Sequence, residues 1–136
     1  MPRLRTDVLA YLARQLVGQP VRVVAADLPP GVGGKARHDG RGFVIELSPR
    51  LFGDVPLLGH AFYHEVGHVR GGHVAAPNGI NTMAAAPGSP LRALWAGRDA
   101  QHEREAEEYA AAKWAKLGKY ADLIFGVMAF EDGDNE

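Results

Sequence analysis

The residues with the clearest potential for chemistry form the pentapeptide His64-Glu65-Val66-Gly67-His68, which matches the pattern H-E-x-x-H. On a helix, positions four apart share one face, so the two imidazoles can bind the same metal ion. Glu65 lies beside that position, where a carboxylate can take a proton from a metal-coordinated water without being a ligand. From the composition of the chain, about 0.015 matches are expected by chance. The motif therefore predicts a zinc hydrolase site with His64 and His68 as ligands and Glu65 as general base.

A catalytic zinc site has three protein ligands and one open position, so a third ligand is needed. The nearest candidate is His73, because the segment after His68 is similar to the metzincin motif HExxHxxGxxH, with Gly71 in register. The third histidine of that motif would fall at Val74, one residue beyond His73. Met83 could be the methionine of that family's Met-turn, but the residues around it form no specific pattern. A ligand from a later part of the chain is therefore favoured.

The later candidates lie in the acidic segment of residues 103–110, which is predicted to be helical. A glutamate from a second helix would complete the His₂Glu set found in thermolysin-like sites. Glu105 borders an apolar stripe and is predicted to face inward as the third ligand, while Glu103 and Glu108 remain open alternatives. For Glu107 and Glu108 a solvated role is favoured, because glutamate is rarely buried without a partner. The stripe consists of Ala106, Ala110, Trp114 and Leu117.

Length, charge and composition limit the other functions. The 136 residues predict one domain, over residues 1–130, followed by an acidic, disordered tail at 131–136. A net charge of -1 excludes the basic surface of a typical nucleic-acid-binding protein. The absence of cysteine excludes disulfides and cysteine-ligated zinc. With no membrane-length apolar run and no signal-peptide core, the sequence predicts a cytoplasmic protein with no membrane partner.

The pattern of apolar residues predicts the elements that must position the motif. A first helix begins with Thr6 as N-cap and ends at Gly18, and strands are predicted over 21–26 and 43–47. Asp54 and Pro56 begin the helix that carries the motif, and Gly71-Gly72 ends it. The glycine-rich segment 31–36 lacks the Ser/Thr of a P-loop and is predicted to be a connection between strands.

The second half of the chain is predicted to be a long loop and further helices. Residues 73–89 are read as a functional loop, 90–96 as a short helix, and 100–117 as a longer helix capped by Asp99. A last helix covers residues 120–130. The fold class is therefore α+β: a small sheet of about three strands packed with the motif-bearing helix and further helices, as in a minimal zincin-like metallopeptidase domain.

Three segments together resemble the ImmA/IrrE family of bacterial and phage zinc metallopeptidases. They are the strand 42–47, the HExxH motif with the following Gly72-His73, and the segment 103–110, which is similar to the ExEAxxFA pattern of that family. The resemblance covers about residues 40–115. The chain departs from the family pattern in having Glu107 for the usual Asn, Tyr109 for Phe, and a long segment between the two motifs.

The resemblance implies that His64, His68 and Glu105 bind Zn²⁺, that Glu65 is the general base, and that His73 is a neighbour of the site. It also implies a protein substrate, a helix-turn-helix transcriptional repressor cut at one site. Zinc is favoured over manganese by the general affinity order for nitrogen and oxygen ligands. Candidates for stabilising the oxyanion of the reaction intermediate are Tyr63, Tyr109, His60 and His73.

Two other functions are weighed against this hypothesis. The main alternative is a non-catalytic, metal-binding antirepressor or antitoxin-like interaction protein with the same fold. Glu65 argues against it, because a structural zinc site has no use for a free carboxylate. A DNA-repair protease of the SprT type is disfavoured by the missing cysteine zinc module. The sequence carries no signal for the oligomeric state.

Overall fold

A computed structural model of the protein describes residues 3–74 and 90–131, with the backbone alone for 90–99. The helices are α1 (Thr6–Val17), α2 (Val55–Arg70), α3 (Pro90–Lys116) and α4 (Ala121–Ala129). The strands are β1 (Arg3–Leu4), β2 (Val21–Ala25), β3 (Gly34–His38), β4 (Phe43–Leu47) and β5 (Phe130–Glu131). This architecture confirms the predicted α+β class. None of the helices in the described part is both long and apolar enough to cross a membrane.

The main sheet has three strands in the order β2-β4-β3. The central strand β4 pairs in parallel with β2 and antiparallel with β3, so that Ile45 lies opposite Val23 on one side and Ala36 on the other. Strand β3 occupies an edge. The prediction that residues 31–36 form only a connection is wrong for residues 34–36, because Gly34–His38 form this strand. Their sequence has no β-branched or alternating apolar pattern, so pairing with β4 decides their conformation.

Helix α2 begins and ends where the sequence predicts. The Asp54 carboxylate accepts a hydrogen bond from the backbone N–H of Leu57 at 3.2 Å, which caps the first turn. At the other end Gly72 has φ +74, a left-handed conformation that favours glycine. Helix α1 differs in one detail, since its N-cap is Arg5 and not the predicted Thr6.

The core lies between the main sheet and helices α1, α2 and α4. Phe62 and Phe125 are its largest side chains with no exposed surface, and their rings are 5.9 Å apart. Leu9 of α1 and Ile45 of β4 are also fully buried. Burial of apolar side chains of this size contributes about 1.5–3 kcal/mol each. This core fixes the position of α2 above the sheet.

Two predictions for the second half of the chain are corrected. Helix α3 runs without a break from Pro90 to Lys116, so Asp99 is inside the helix and does not cap it. An aspartate and a nearby Gly97 weaken a helix by only about 1 kcal/mol each, which a helix of this length tolerates. Glu131, which was assigned to the disordered tail, pairs with Arg3 between β5 and β1. Residues 132–136 lie outside the described residues.

The contact between α2 and α3 depends on glycine at position 59. A Cβ atom at Gly59 would overlap the Trp114 ring of α3, with ring atoms Cε3 and Cη2 at 3.0 Å and Cζ3 closer still. We expect Gly59→Ala to lower the free energy of unfolding by about 1–3 kcal/mol, the usual cost of overpacking a core. Urea denaturation measures this change.

The matched control is Gly53→Ala, because an added Cβ at Gly53 would meet no atom within 4 Å. This variant should unfold at nearly the same urea concentration as the wild type. Equal stability of the Gly59 and Gly53 variants would contradict the tight packing of the two helices.

Candidate metal centre

Three side chains from α2 and α3 meet at one point: His64, His68 and Glu103, a group that could hold a metal ion. The Nε2 atoms of the two histidines are 3.1 Å apart. Glu103 places Oε2 2.9 Å from His64 Nε2 and Oε1 2.9 Å from His68 Nε2. Two ligand atoms bound tetrahedrally to zinc at about 2.0–2.1 Å are about 3.3 Å from each other. The two histidine nitrogens are close to this separation, and each lies 2.9 Å from a different oxygen of Glu103, so the group could hold a small divalent cation.

Small residues bring the two helices close enough for this group to form. A Cβ atom on Gly67 would lie 3.2 Å from the Ala106 Cα and 3.1 Å from the Tyr109 Cδ1. Ala106 and Ala110 are fully buried against α2. The glutamate side chain of Glu103 therefore has to span only a short distance to reach the histidines.

The third member of the group is Glu103, whereas the sequence analysis assigned the third ligand to Glu105. Glu105 accepts a hydrogen bond from His73 Nε2 at 3.0 Å and is not part of the group around His64. The reason is helical geometry: Glu103 lies three residues before Ala106 and continues the buried stripe, while Glu105 lies on its border. The remaining alternative, Glu108, is exposed.

Glu65 lies beside the histidine pair and is 8% exposed. Its carboxylate lies against β3, since a Cβ on Gly34 would be 3.0 Å from Glu65 Cγ and 3.3 Å from Oε2. The pKa of Glu65 is raised to about 7, mainly by burial; His64 nearby lowers it and the Glu103 carboxylate raises it, and both effects are included in this value. A carboxyl group with such a pKa can both accept and release a proton near neutral pH.

The raised pKa of Glu65 predicts a pH-dependent stability of the metal-free protein. The folded pKa of about 7 lies above the ordinary glutamate value of 4.5, so the stabilising effect of the bound proton is complete below pH 4.5 and is lost as pH rises through 7. Relative to Glu65→Gln, we expect the wild type in a chelating buffer to lose about 3 kcal/mol over this range. Urea denaturation of both proteins from pH 4.5 to pH 8 measures the difference. A constant difference across this range would contradict a pKa raised by burial.

His64 has a second carboxylate on its other side. Glu107 accepts a hydrogen bond from His60 Nε2 at 2.8 Å through Oε2, and its Oε1 lies 2.6 Å from His64 Nδ1. The second contact is an ion-pair distance without the alignment of a hydrogen bond. The hydrogen bond from His60 lowers the pKa of Glu107. The sequence predicts His60 only as a candidate for stabilising the oxyanion and a solvated role for Glu107, so it does not predict the contact between them.

His68 is supported by a different pair of side chains. Its Nδ1 lies 3.1 Å from His73 Nδ1, and His73 in turn binds Glu105. Burial lowers the pKa of His68, which favours the neutral imidazole that a metal requires. His73 thus contacts His68 but is not one of the three grouped side chains. The metzincin-like alternative, in contrast, predicts His73 as the third ligand.

Cavities open on both sides of Glu65 and Glu103. One, of about 560 Å³, is bordered by His60, His64 and apolar residues of the segment after β2 and of α2. The other, of about 480 Å³, runs along β3 and includes His68 and His73. Of the predicted oxyanion-stabilising residues, His60 and His73 border these cavities. Neither cavity includes Tyr63, a core residue, or Tyr109, which borders a separate cavity beside Glu105.

The remaining predictions near the site fall on residues 75–89. The predicted functional loop, beyond its first two residues, and Met83 lie outside the described residues.

Fold and site together define a small α+β domain with a group of two histidines and a glutamate that could hold a metal ion, built between two packed helices. Comparison of the chain with protein families, with curated proteins and with solved structures found no match. The function is therefore argued from the site itself.

Proposed function

We propose that this protein is a zinc-dependent peptidase in which His64, His68 and Glu103 bind the metal and Glu65 is the general base. The observation that carries the proposal is the placement of the Glu65 carboxylate in the two cavities that also contain Glu103. A site that only stabilised the fold would need no buried acid beside an open cavity. The resemblance to ImmA/IrrE metallopeptidases implies the same residue types, two histidines, an adjacent glutamate and a distant glutamate, although it places the distant glutamate at Glu105.

The chemistry divides between the metal and the protein. Held by His64, His68 and Glu103, a zinc ion would supply a Lewis acid for the substrate carbonyl and would lower the pKa of water toward neutral pH. Glu65 accepts the proton of the attacking water and then delivers it to the leaving amine, so that one side chain is base first and acid second. Its position against Gly34 holds the carboxylate in place and shields it from bulk solvent.

The edge strand β3 supports a peptide as the substrate. β3 pairs with β4 on one side, and the cavity that contains Glu65 and His68 runs along its residues. An extended peptide can bind the free edge of a sheet through backbone hydrogen bonds, which recognises a main chain independently of its side chains. The exposed side chain of Lys35 on this strand favours an acidic residue in the bound peptide, while Arg37 is paired with Glu46 at 3.5 Å. By the family resemblance, the natural substrate is a helix-turn-helix repressor.

The test is removal and return of the metal. We expect the purified protein to bind one zinc per chain, measured by elemental mass spectrometry, and to lose this zinc in a chelating buffer. The zinc-loaded protein should cleave members of a defined mixture of synthetic peptides or a helix-turn-helix repressor, with products identified by mass spectrometry. Activity should vanish on chelation and return with added zinc.

The same experiment distinguishes the non-catalytic alternative. One zinc per chain together with binding of a repressor, but no cleavage of it or of any peptide, would favour a metal-binding antirepressor. Cleavage that persists at full rate in the metal-free protein would contradict the proposed mechanism.

A further inference from the structure

The C-terminal end of α2 places His73 against the metal-binding group. The backbone N–H of Gly72 donates to the Val69 carbonyl at 3.2 Å, and the N–H of His73 donates to the His68 carbonyl at 2.9 Å. This pair of bonds is a Schellman motif, in which the left-handed residue Gly72 reverses the chain. The side chain of His73 consequently folds back over the last turn of the helix and is 4% exposed.

His73 lies in a chain of contacts that begins at His68 and ends on α3. His68 Nδ1 and His73 Nδ1 are 3.1 Å apart, and His73 Nε2 is 3.0 Å from Glu105 Oε2. The other oxygen of Glu105 accepts a hydrogen bond from Gln101 Nε2 at 3.1 Å. The two inner members of the chain, His73 and Glu105, therefore each have a defined neighbour on either side.

The chain admits one arrangement of protons once His68 binds a metal. A neutral histidine that coordinates through Nε2 carries its proton on Nδ1 and donates it. His73 must then accept at Nδ1 and carry its own proton on Nε2, where it donates to the Glu105 carboxylate. Every donor meets one acceptor, so the direction of the chain is fixed by the carboxylate at its end.

Two further contacts restrict the His73 ring. The ring of His102 on α3 is stacked on it, with centroids 3.9 Å apart and planes 5° from parallel. A Cβ atom on Gly71 would lie 2.5 Å from His73 Nε2, so the glycine leaves room for the ring in its observed position. The burial and orientation of His73 are thus more constrained than a solvated loop histidine would require.

We infer that His73 and Glu105 are positioning residues for the metal ligand His68, forming a relay from the Glu105 carboxylate through His73 to His68. The inference rests on the proposed metal centre. The relay fixes the tautomer and ring orientation of His68 and makes it a stronger ligand. The sequence predicts Glu105 as a metal ligand. In the relay it acts instead on the ligand His68, through the ring of His73.

The experiment measures zinc affinity by competition with a chromophoric chelator, without reference to catalysis. Removal of a hydrogen-bond partner of a metal ligand typically weakens metal binding by about 10–100-fold, and we expect this for His73→Ala. His73→Gln should recover most of the affinity, because its amide can accept from His68 and donate to Glu105. Glu105→Ala should weaken binding less than His73→Ala, and Glu108→Ala, an equal change of charge on an exposed residue of the same helix, should have no effect.

A second measurement reads the relay in the intact protein. In ¹⁵N NMR spectra of the zinc-loaded wild type, His73 should be neutral with its proton on Nε2, and Glu105→Ala should disturb this tautomer. A proton on Nδ1 of His73 would overturn the inference. So would unchanged zinc affinity in His73→Ala, or equal affinities for His73→Gln and His73→Ala. A wild type that binds no zinc would overturn the metal centre itself and the relay with it.

Discussion

Replacing Glu65 by Gln is expected to lower kcat/KM for peptide hydrolysis by about 10²–10⁴-fold, the usual contribution of general acid–base catalysis. Gln has nearly the same shape, so it fills the buried space against Gly34 without providing a proton acceptor. Zinc binding should persist, because Glu65 is not one of the three grouped side chains. The measurement is cleavage of the most rapidly hydrolysed synthetic peptide, followed by mass spectrometry at fixed zinc content.

Two controls make this result specific. Elemental analysis must show the same zinc content in the wild type and in Glu65→Gln, so that lost activity is not lost metal. Glu65→Asp keeps the carboxylate but shortens the side chain, and it should retain part of the activity. Cleavage by Glu65→Gln at the wild-type rate would contradict the role of Glu65 as base.

Replacing Glu103 by Ala is expected to weaken zinc binding by more than about 100-fold, a loss larger than that caused by removing an outer hydrogen-bond partner. Glu103 is the carboxylate placed 2.9 Å from both histidine Nε2 atoms. Glu105→Ala should have a much smaller effect, since Glu105 contacts the group only through His73. Chelator competition at pH 7 measures both constants on the same scale.

The comparison of these two glutamates decides the identity of the third ligand. Both are on α3, both are exposed, and both substitutions remove one negative charge. Circular dichroism should show equal helix content in the two variants. A larger loss in Glu105→Ala than in Glu103→Ala would contradict the observed geometry and return the assignment to Glu105.

The elements with their own local signals could be predicted from the sequence. Asp54, Pro56 and Gly72 mark the limits of α2 through capping and turn chemistry that acts within a few residues. Strand β3 could not be predicted, because Gly34–His38 have no strand pattern and are held by hydrogen bonds to β4. The prediction of a helix break at Asp99 was also wrong. The weak local preference of aspartate for a cap position does not interrupt a long helix.

In the site, too, the residues placed by local helix geometry could be predicted from the sequence, and those placed by the packing of two helices could not. The spacing within the HExxH motif places two imidazoles on one face through helix geometry alone. The choice between Glu103 and Glu105 depends on how α3 is rotated against α2, which the buried positions of Ala106 and Ala110 determine. The buried positions Ala106 and Ala110 form one stripe along α3, and Glu103 lies on this stripe, three residues before Ala106. The stripe therefore favours Glu103 over Glu105. The contact between Glu107 and His60 depends on the register of α3 against α2, and no local sequence pattern indicates it.

The glycines that let α2 and α3 approach each other also limit how this protein can be engineered for heat resistance. Exchanging a helical glycine for alanine ordinarily gains up to about 1 kcal/mol, because the unfolded chain loses freedom. Here Gly59 faces the Trp114 ring and Gly67 faces the Ala106 backbone, so that route is closed at both positions. Thermostabilising substitutions should instead be sought on the outer surfaces of these helices, where they leave the distance between the ligand-bearing helices unchanged.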